Sequence, residues 1–231
     1  MHEHEQHSEY QHRWSLATAI HMVGAAGEFW SSDLNEAVVD LADPQPGMTI
    51  LDLGAGLGPA TVDAAQRVGP DGFVIAVDPS AATRAVVRAR RLWQRSREII
   101  IIRSGSAESI PVPTGTVDRA ISVNAAHHYE DTKLAASELA RVLKPNGKLL
   151  LVDEDFSNPE HPYQQTAHAF EPDPVDAIGI VGLLNAAGLV ATHVDNEPIA
   201  GLTATIITAV APAQHRPPNS QLSESSTGGS P

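Results

Sequence analysis

Short apolar runs alternate with longer stretches of helical periodicity through the middle of the chain. Thr49-Ile50-Leu51-Asp52-Leu53 follows Pro46-Gly47 and predicts a buried strand. Leu57, Thr61, Ala64 and Val68 then recur at helical spacing until Gly69-Pro70-Asp71-Gly72 stops the helix. Phe73–Val77 predicts a second strand and Ser80–Arg95 a second helix. Ile99–Ile102 is a continuous β-branched run, as expected of a strand covered on both faces. Val117–Val123 predicts the fourth strand. Asp131 opens a helix whose inner face is Ala135, Leu139, Val142 and Leu143; Lys144-Pro145-Asn146-Gly147 ends it, and Lys148–Val152 is the fifth strand. A helix from about Asp173 to Ala187 precedes two last strands, Leu189–Val194 and Leu202–Val210.

Strands separated by helices of this length need right-handed crossovers, which gives a mostly parallel sheet with helices on both faces. Only Asp195–Gly201 separates the last two strands, too short for a helical crossover, so they pair antiparallel as a hairpin. The expected fold is α/β: a doubly wound, mostly parallel seven-stranded sheet with a reversed edge strand. Upstream, Leu16, Ile20, Val23, Leu34, Val38 and Leu41 have helical spacing interrupted by Gly24 and Gly27. They predict a helical cap over 14–46, ahead of the sheet domain at 47–212. Residues 1–13 carry His2, His4, His7 and His12 with little to bury. Nothing fixes a ligand geometry among them, so a flexible arm is expected and no metal site. Residues 213–231 are rich in Pro, Ser and Gly, and predict a disordered tail.

Charge and composition narrow the partners. The 28 acids outnumber the 15 bases, a net charge of −13 that repels phosphate backbones. The absence of Cys excludes disulfides, thiolate metal sites and cysteine nucleophiles. No run approaches the roughly 18 apolar residues of a membrane span, and the N-terminal stretch has no apolar signal core. The expectation is a cytoplasmic protein with neither nucleic acid nor membrane as a partner, a monomer or a homodimer paired through the edge hairpin.

Ligands of such sheets sit at the carboxyl ends of the strands, where the strand order switches. The first strand ends in Asp52-Leu53-Gly54-Ala55-Gly56-Leu57-Gly58; alternate glycines let backbone approach a ligand and adopt the positive φ of a tight turn. Asp78, at the end of the second strand, is placed to accept from ribose hydroxyls. Together they point to an adenosine-containing cofactor. A dinucleotide turn needs a third glycine at position 59, where Pro59 stands. A carboxylate at Asp52 suits a cationic ligand, an amino-acid ammonium or a sulfonium, better than a pyrophosphate.

With ILDLGAGLG (50–58), VIAVDPS (74–80), GSAESIPVPTGTVDRAISVNAAHHYED (105–131) and ELARVLKPNGKLLLVD (138–153), the chain resembles the class I S-adenosylmethionine-dependent methyltransferases. The likeness is to the small-molecule group with a ubiquinone/menaquinone-biosynthesis-like core. It implies a Rossmann-like methyltransferase fold and S-adenosylmethionine as cofactor, with S-adenosylhomocysteine as product. It also implies Asp52 and the Gly54, Ala55, Gly56 and Gly58 backbone at the methionine moiety, and Asp78 beside Pro79 at the ribose. Ala107 and Glu108 would flank the adenine, and Asn124 would lie near the methionine end. Ser106 departs from the family's usual Asp before Ala-Glu. The lack of Cys argues against the arsenite-methylating relatives.

The acceptor is less defined. Holding a nucleophile in line and excluding water is most of the task, and a phenol, alcohol or carbon acid also needs a base. His127 is the candidate base, against the alternative that His127 and His128 pack the turn or contact the cofactor. Tyr129 either orients the acceptor or covers the pocket. Asp153, Glu154 and Asp155 end the fifth strand on the same rim, or are solvated loop acids. Phe29, Trp30, Tyr163 and Phe170 are candidates for an apolar roof, and Glu154 and His128 for acceptor contacts. Arg84, Arg88, Arg91 and Arg95, with Arg90 and Arg97 beside them, form a stripe on the second helix, expected to be its solvated face rather than a docking surface. Residues 149–215 hold no Lys or Arg, which favours a neutral or cationic small-molecule acceptor. Two other functions stay open: a nicotinamide-dependent oxidoreductase, and a catalytically silent cofactor-binding module acting through the Arg-rich helix.

Overall fold

The computed structural model describes residues 33–155 and 175–213. Its elements are α1 (Asp33–Ala42), β1 (Thr49–Leu53), α2 (Pro59–Val68), β2 (Phe73–Asp78), α3 (Ala81–Leu92), β3 (Ile100–Ser104), β4 (Val117–Val123), α4 (Thr132–Val142), β5 (Leu143–Glu154), α5 (Ala177–Ala186), β6 (Val190–Ile199) and β7 (Leu202–Val210). The strands form one seven-stranded sheet in the order β3-β2-β1-β4-β5-β7-β6. β1 pairs in parallel with β2 and β4, β2 with β3, and β4 with β5. The expected closing hairpin is present: β7 runs antiparallel to β5 and to the outermost β6. Chain order reverses between β1 and β4, so the crevice above their carboxyl ends is the switch point.

Each face of the sheet is covered. On one side Leu51, Leu149 and Ile207 pack against Leu139 of α4 and Leu184 of α5. On the other, Ile50, Ile121 and Leu150 meet Val38 and Val39 of α1 and Ala64 and Val68 of α2. Helix starts follow local chemistry. Pro59 supplies its fixed φ at the first position of α2, and the side chains of Ser80, Asp131 and Asp176 accept from backbone N–H groups of α3, α4 and α5. No helix among the described residues is long and apolar enough to cross a membrane.

The structure departs from the periodicity in three places. Leu143, expected to end a helix, opens β5 opposite Val117, and Lys144–Gly147 forms an irregularity within the strand, with Asn146 at φ 64°. The expected loop Asp195–Gly201 is instead mostly strand: β6 continues to Ile199, and Ala200-Gly201 alone makes the turn at φ 52° and 81°. Positive φ at both turn positions matches the twist of a two-residue hairpin. Asp195, Glu197 and Pro198, weak strand formers, are tolerated because β6 is an edge. Lastly, α3 stops at Leu92 rather than Arg95.

Residues 1–32, 156–174 and 214–231 lie outside the described ones. The expected His-rich arm, most of the helical cap, all but the first residue of the tail, Phe29, Trp30, Tyr163 and Phe170 therefore fall beyond this description.

Candidate functional site

The glycines between β1 and α2 have three different tasks. At Gly54 a Cβ would lie 2.4 Å from Ala125 Cβ, so the missing side chain lets β1 and the end of β4 close together. At Gly58 a Cβ would come within 3.0 Å of Val87 on α3. Gly56 has φ 51°, yet its Cβ would meet nothing nearer than 3.9 Å. Packing demands Gly54 and Gly58; only Gly56 presents open space to a ligand. That open cradle fits a cofactor approached closely by backbone.

Asp78 holds the turn from the side. Its Oδ2 accepts from Gly56 N at 2.9 Å, and its Oδ1 from Ser80 N at 2.8 Å and Thr83 Oγ1 at 2.6 Å. With about two lone pairs per oxygen, Oδ1 is committed to the chain and Oδ2 keeps one acceptor position. The carboxylate thus offers one oxygen to a ligand. Pro79 beside it is exposed. Asp52 is buried under the turn, accepting from the Thr61 hydroxyl. Desolvation pushes its carboxyl up to about 6, against the lowering effect of the Thr61 bond; the nearby Asp78 charge adds to the rise. A cation above it would reverse that cost.

Ala107 is buried at the end of the segment after β3. Glu108 accepts from Glu130 N at 2.9 Å and Asp131 N at 3.4 Å, fixing the loop that follows β4. That loop starts at Asn124, held at φ 51° by a two-way clamp across to β5. Glu154 N donates to its Oδ1 at 2.8 Å, and its Nδ2 donates to Glu154 Oε1.

His127 and Asp153 form a buried pair on this rim. The His127 side chain is 5% exposed and that of Asp153 4%, with Nδ1 bonded to Oδ1. The other oxygen, Oδ2, accepts from Ala126 N at 3.1 Å. A carboxylate on Nδ1 assigns the proton there, which makes Nε2 the basic nitrogen of the neutral ring. The His128 ring lies 4.0 Å from that of His127; burial and then the His127 charge push it down to about 4.

Several expectations change here. Asp153 is no solvated loop acid: strand pairing with Thr205 and contact with the short helical turn Ala126–His128 bury it. Tyr129 turns inward, donating to Ser122 Oγ at 2.9 Å, and burial raises its phenol above the ordinary range. It packs against the α4 side of the core. The arginine stripe is not simply solvated either. Arg84 donates to Asp78 O at 2.8 Å and Arg91 to Ile100 O at 2.9 Å. Arg90, 9% exposed, reaches Leu57 O of the glycine turn at 3.1 Å. Helical spacing alone gives no signal that these cations serve backbone carbonyls.

Comparison with known proteins identifies relatives for this arrangement. Residues 51–151 match the family described as "Methyltransferase domain". Nocamycin O-methyltransferase of Saccharothrix syringae is 30% identical over 156 residues, covering 68% of this chain and 53% of its own. Demethylmenaquinone methyltransferase of Symbiobacterium thermophilum is 33% identical over 135 residues, 58% of this chain and 53% of its own. The chain spans about half the length of these curated relatives. Among solved structures, a SAM-dependent methyltransferase from Aquifex aeolicus superposes with a TM-score of 0.62 at 21% identity, over 77% of this chain and 91% of that one. At that identity the likeness shows the fold. The family match supports S-adenosylmethionine as the cofactor.

Proposed function

We propose that the chain, which matches a methyltransferase domain over residues 51–151, is a class I S-adenosylmethionine-dependent methyltransferase that transfers a methyl group to a small-molecule acceptor by in-line displacement. The cofactor, when bound, supplies a methyl group already activated on a sulfonium. The open cradle at Gly56 and the remaining acceptor position of Asp78 fit such a ligand. In this reading the Gly54–Gly58 backbone, Asp52 and Asn124 meet the methionine end, Asp78 and Pro79 the ribose, and Ala107 and Glu108 the adenine.

The residues then have three tasks. Asp52, ionised above about pH 6, compensates the cofactor's positive charge. The Asn124–Glu154 clamp fixes the rim on which the acceptor rests. His127 accepts the acceptor's O–H, N–H or C–H proton at Nε2, while Asp153 holds the ring and stabilises the imidazolium that forms.

The single observation that carries this reading is the buried His127–Asp153 pair at the switch point beside the glycine turn. Phenols, alcohols and carbon acids are the acceptors for which such a base helps. Incubation with methyl-labelled S-adenosylmethionine and panels of phenols, amines and thiols tests it. Labelling of one class with release of S-adenosylhomocysteine is expected. Tight cofactor binding with no acceptor labelled contradicts turnover and leaves a catalytically silent binding module.

A further inference from the structure

At the amino end of the sheet, opposite the glycine turn, α1, β4, β5, β6 and β7 border a cavity of about 210 Å³. Two cations line it. Arg119 and Lys148 are direct cross-strand partners on β4 and β5, so their side chains leave the same face as like-charge neighbours. Such a pair repels unless an anion joins it. Arg119 donates from Nε to Ala42 O at 3.0 Å and from Nη1 to Asp118 O at 2.9 Å, which leaves Nη2. Lys148 Nζ has no hydrogen bond or ion pair among the described residues, and no acid is among those lining the cavity. In a chain of net charge −13, two adjacent cations without a described carboxylate partner are unexpected.

A second observation concerns the backbone. Two register breaks interrupt the sheet pairings, and both border this cavity: one between Val117 and Arg119 on β4, the other between Ala191 and His193 on β6. The second makes Thr192 the extra residue, and its hydroxyl meets that of Thr208 at 2.8 Å on the cavity wall. Bulges re-aim side chains and concentrate beside functional sites. The two hydroxyls share the cavity wall with the two cations and with Leu41, Leu150 and Val210.

We propose that this cavity binds a small organic oxyanion. Its phosphate or carboxylate head sits on Arg119 and Lys148, and its apolar body lies on Leu41, Leu150 and Val210. Charge-assisted bonds supply the head's affinity. The site is separate from the methyl-transfer crevice at the other end of the strands.

The test is calorimetric titration of the full chain at fixed ionic strength with phenyl phosphate, benzoate and inorganic phosphate. Saturable binding of phenyl phosphate or benzoate, tighter than inorganic phosphate, is expected. Lys148→Gln, at an exposed position, should weaken it about tenfold, the loss of roughly one charge-assisted bond, while Lys148→Arg retains it. The Asp78→Ala variant should bind these probes unchanged. Unsaturable heats, equal affinity in Lys148→Gln, tighter binding of inorganic phosphate, or displacement by S-adenosylhomocysteine would each overturn the proposal.

Discussion

Replacing Asp153 by Asn isolates the orienting carboxylate from the rest of the site. Asp153 touches two groups, the His127 ring through Oδ1 and Ala126 N through Oδ2. Asparagine is nearly isosteric and keeps one acceptor oxygen. If that oxygen stays on Ala126 N, the amide NH2 faces His127 Nδ1. That nitrogen must then accept, which moves the ring proton to Nε2 and removes the base from the acceptor. General-base catalysis contributes about 10²–10⁴-fold; each factor of ten corresponds to about 1.4 kcal/mol of barrier. The expected loss in kcat is therefore about 10²–10³-fold, or about 3–4 kcal/mol. Because the pair is assigned to the acceptor and not to the cofactor, the dissociation constant for S-adenosylhomocysteine should move by less than about threefold, well under 1 kcal/mol. Steady-state kinetics with a labelled methyl donor and calorimetry with the product measure the two quantities. A kcat within about threefold of the parent refutes the assignment of a base. An equal loss in product affinity moves His127 into the cofactor's binding shell.

Other expectations follow from the turn. Asp52 titrates near 6 in the folded chain against 3.8 in its ordinary state, so the folded state holds the proton more tightly. Its contribution to stability is greatest at low pH, declines as pH rises from about 4 to about 6, and is flat above. Asp52→Asn should remove that slope in pH-dependent urea melts and raise unliganded stability at pH 7.5. It should also abolish the rise in S-adenosylmethionine affinity through pH 6; a slope unchanged in the variant contradicts the burial argument. Gly56→Ala should still fold, its melting temperature lowered only by the strain of a Cβ at φ 51°, about 1 kcal/mol, and should lose cofactor binding. Gly54→Ala carries the same kind of strain at φ 75° and in addition drives its Cβ into Ala125 Cβ, so it should cost a further ~1–3 kcal/mol by overpacking, and the reverse ranking in thermal melts would overturn the division of labour. Asp78→Ala removes the acceptor of Gly56 N, Ser80 N and Thr83 Oγ1. A loss of about 1–3 kcal/mol in cofactor affinity should come with a lowered melting temperature; affinity unchanged by calorimetry discards the ribose assignment.

The sheet was legible because its signal is repeated: apolar runs such as Leu149–Val152 need burial on both faces, and the intervening helices enforce parallel crossovers. The run Ile99–Ile102 gave the strand but not its place: β3 is an edge, and Ile101 and Ile102 are only half-buried instead of covered on both faces. Boundaries failed where tertiary pairing overrides local preference. Leu143 satisfies a helix face and a strand partner equally well, and pairing with Val117 decides it. Ala200-Gly201 lacks the Asn-Gly signature of a two-residue hairpin, although it adopts that geometry. In the site, glycines and Asp78 were readable because their chemistry is local to strand ends. The partnership of Asp153 with His127 was not: both were placed on one rim, but only the fold shows the carboxylate bonded to the ring. Arg90 was hidden for the same reason: a cation at helical spacing reads as solvated until a carbonyl from another element, Leu57 O, is found against it.

The central claim is that the switch-point turn holds S-adenosylmethionine. Calorimetric titration of the full chain with S-adenosylmethionine, S-adenosylhomocysteine and NAD tests it most directly. Saturable binding of both sulfur ligands and none of NAD is the predicted result. Binding of NAD alone, or of none of the three, would contradict it.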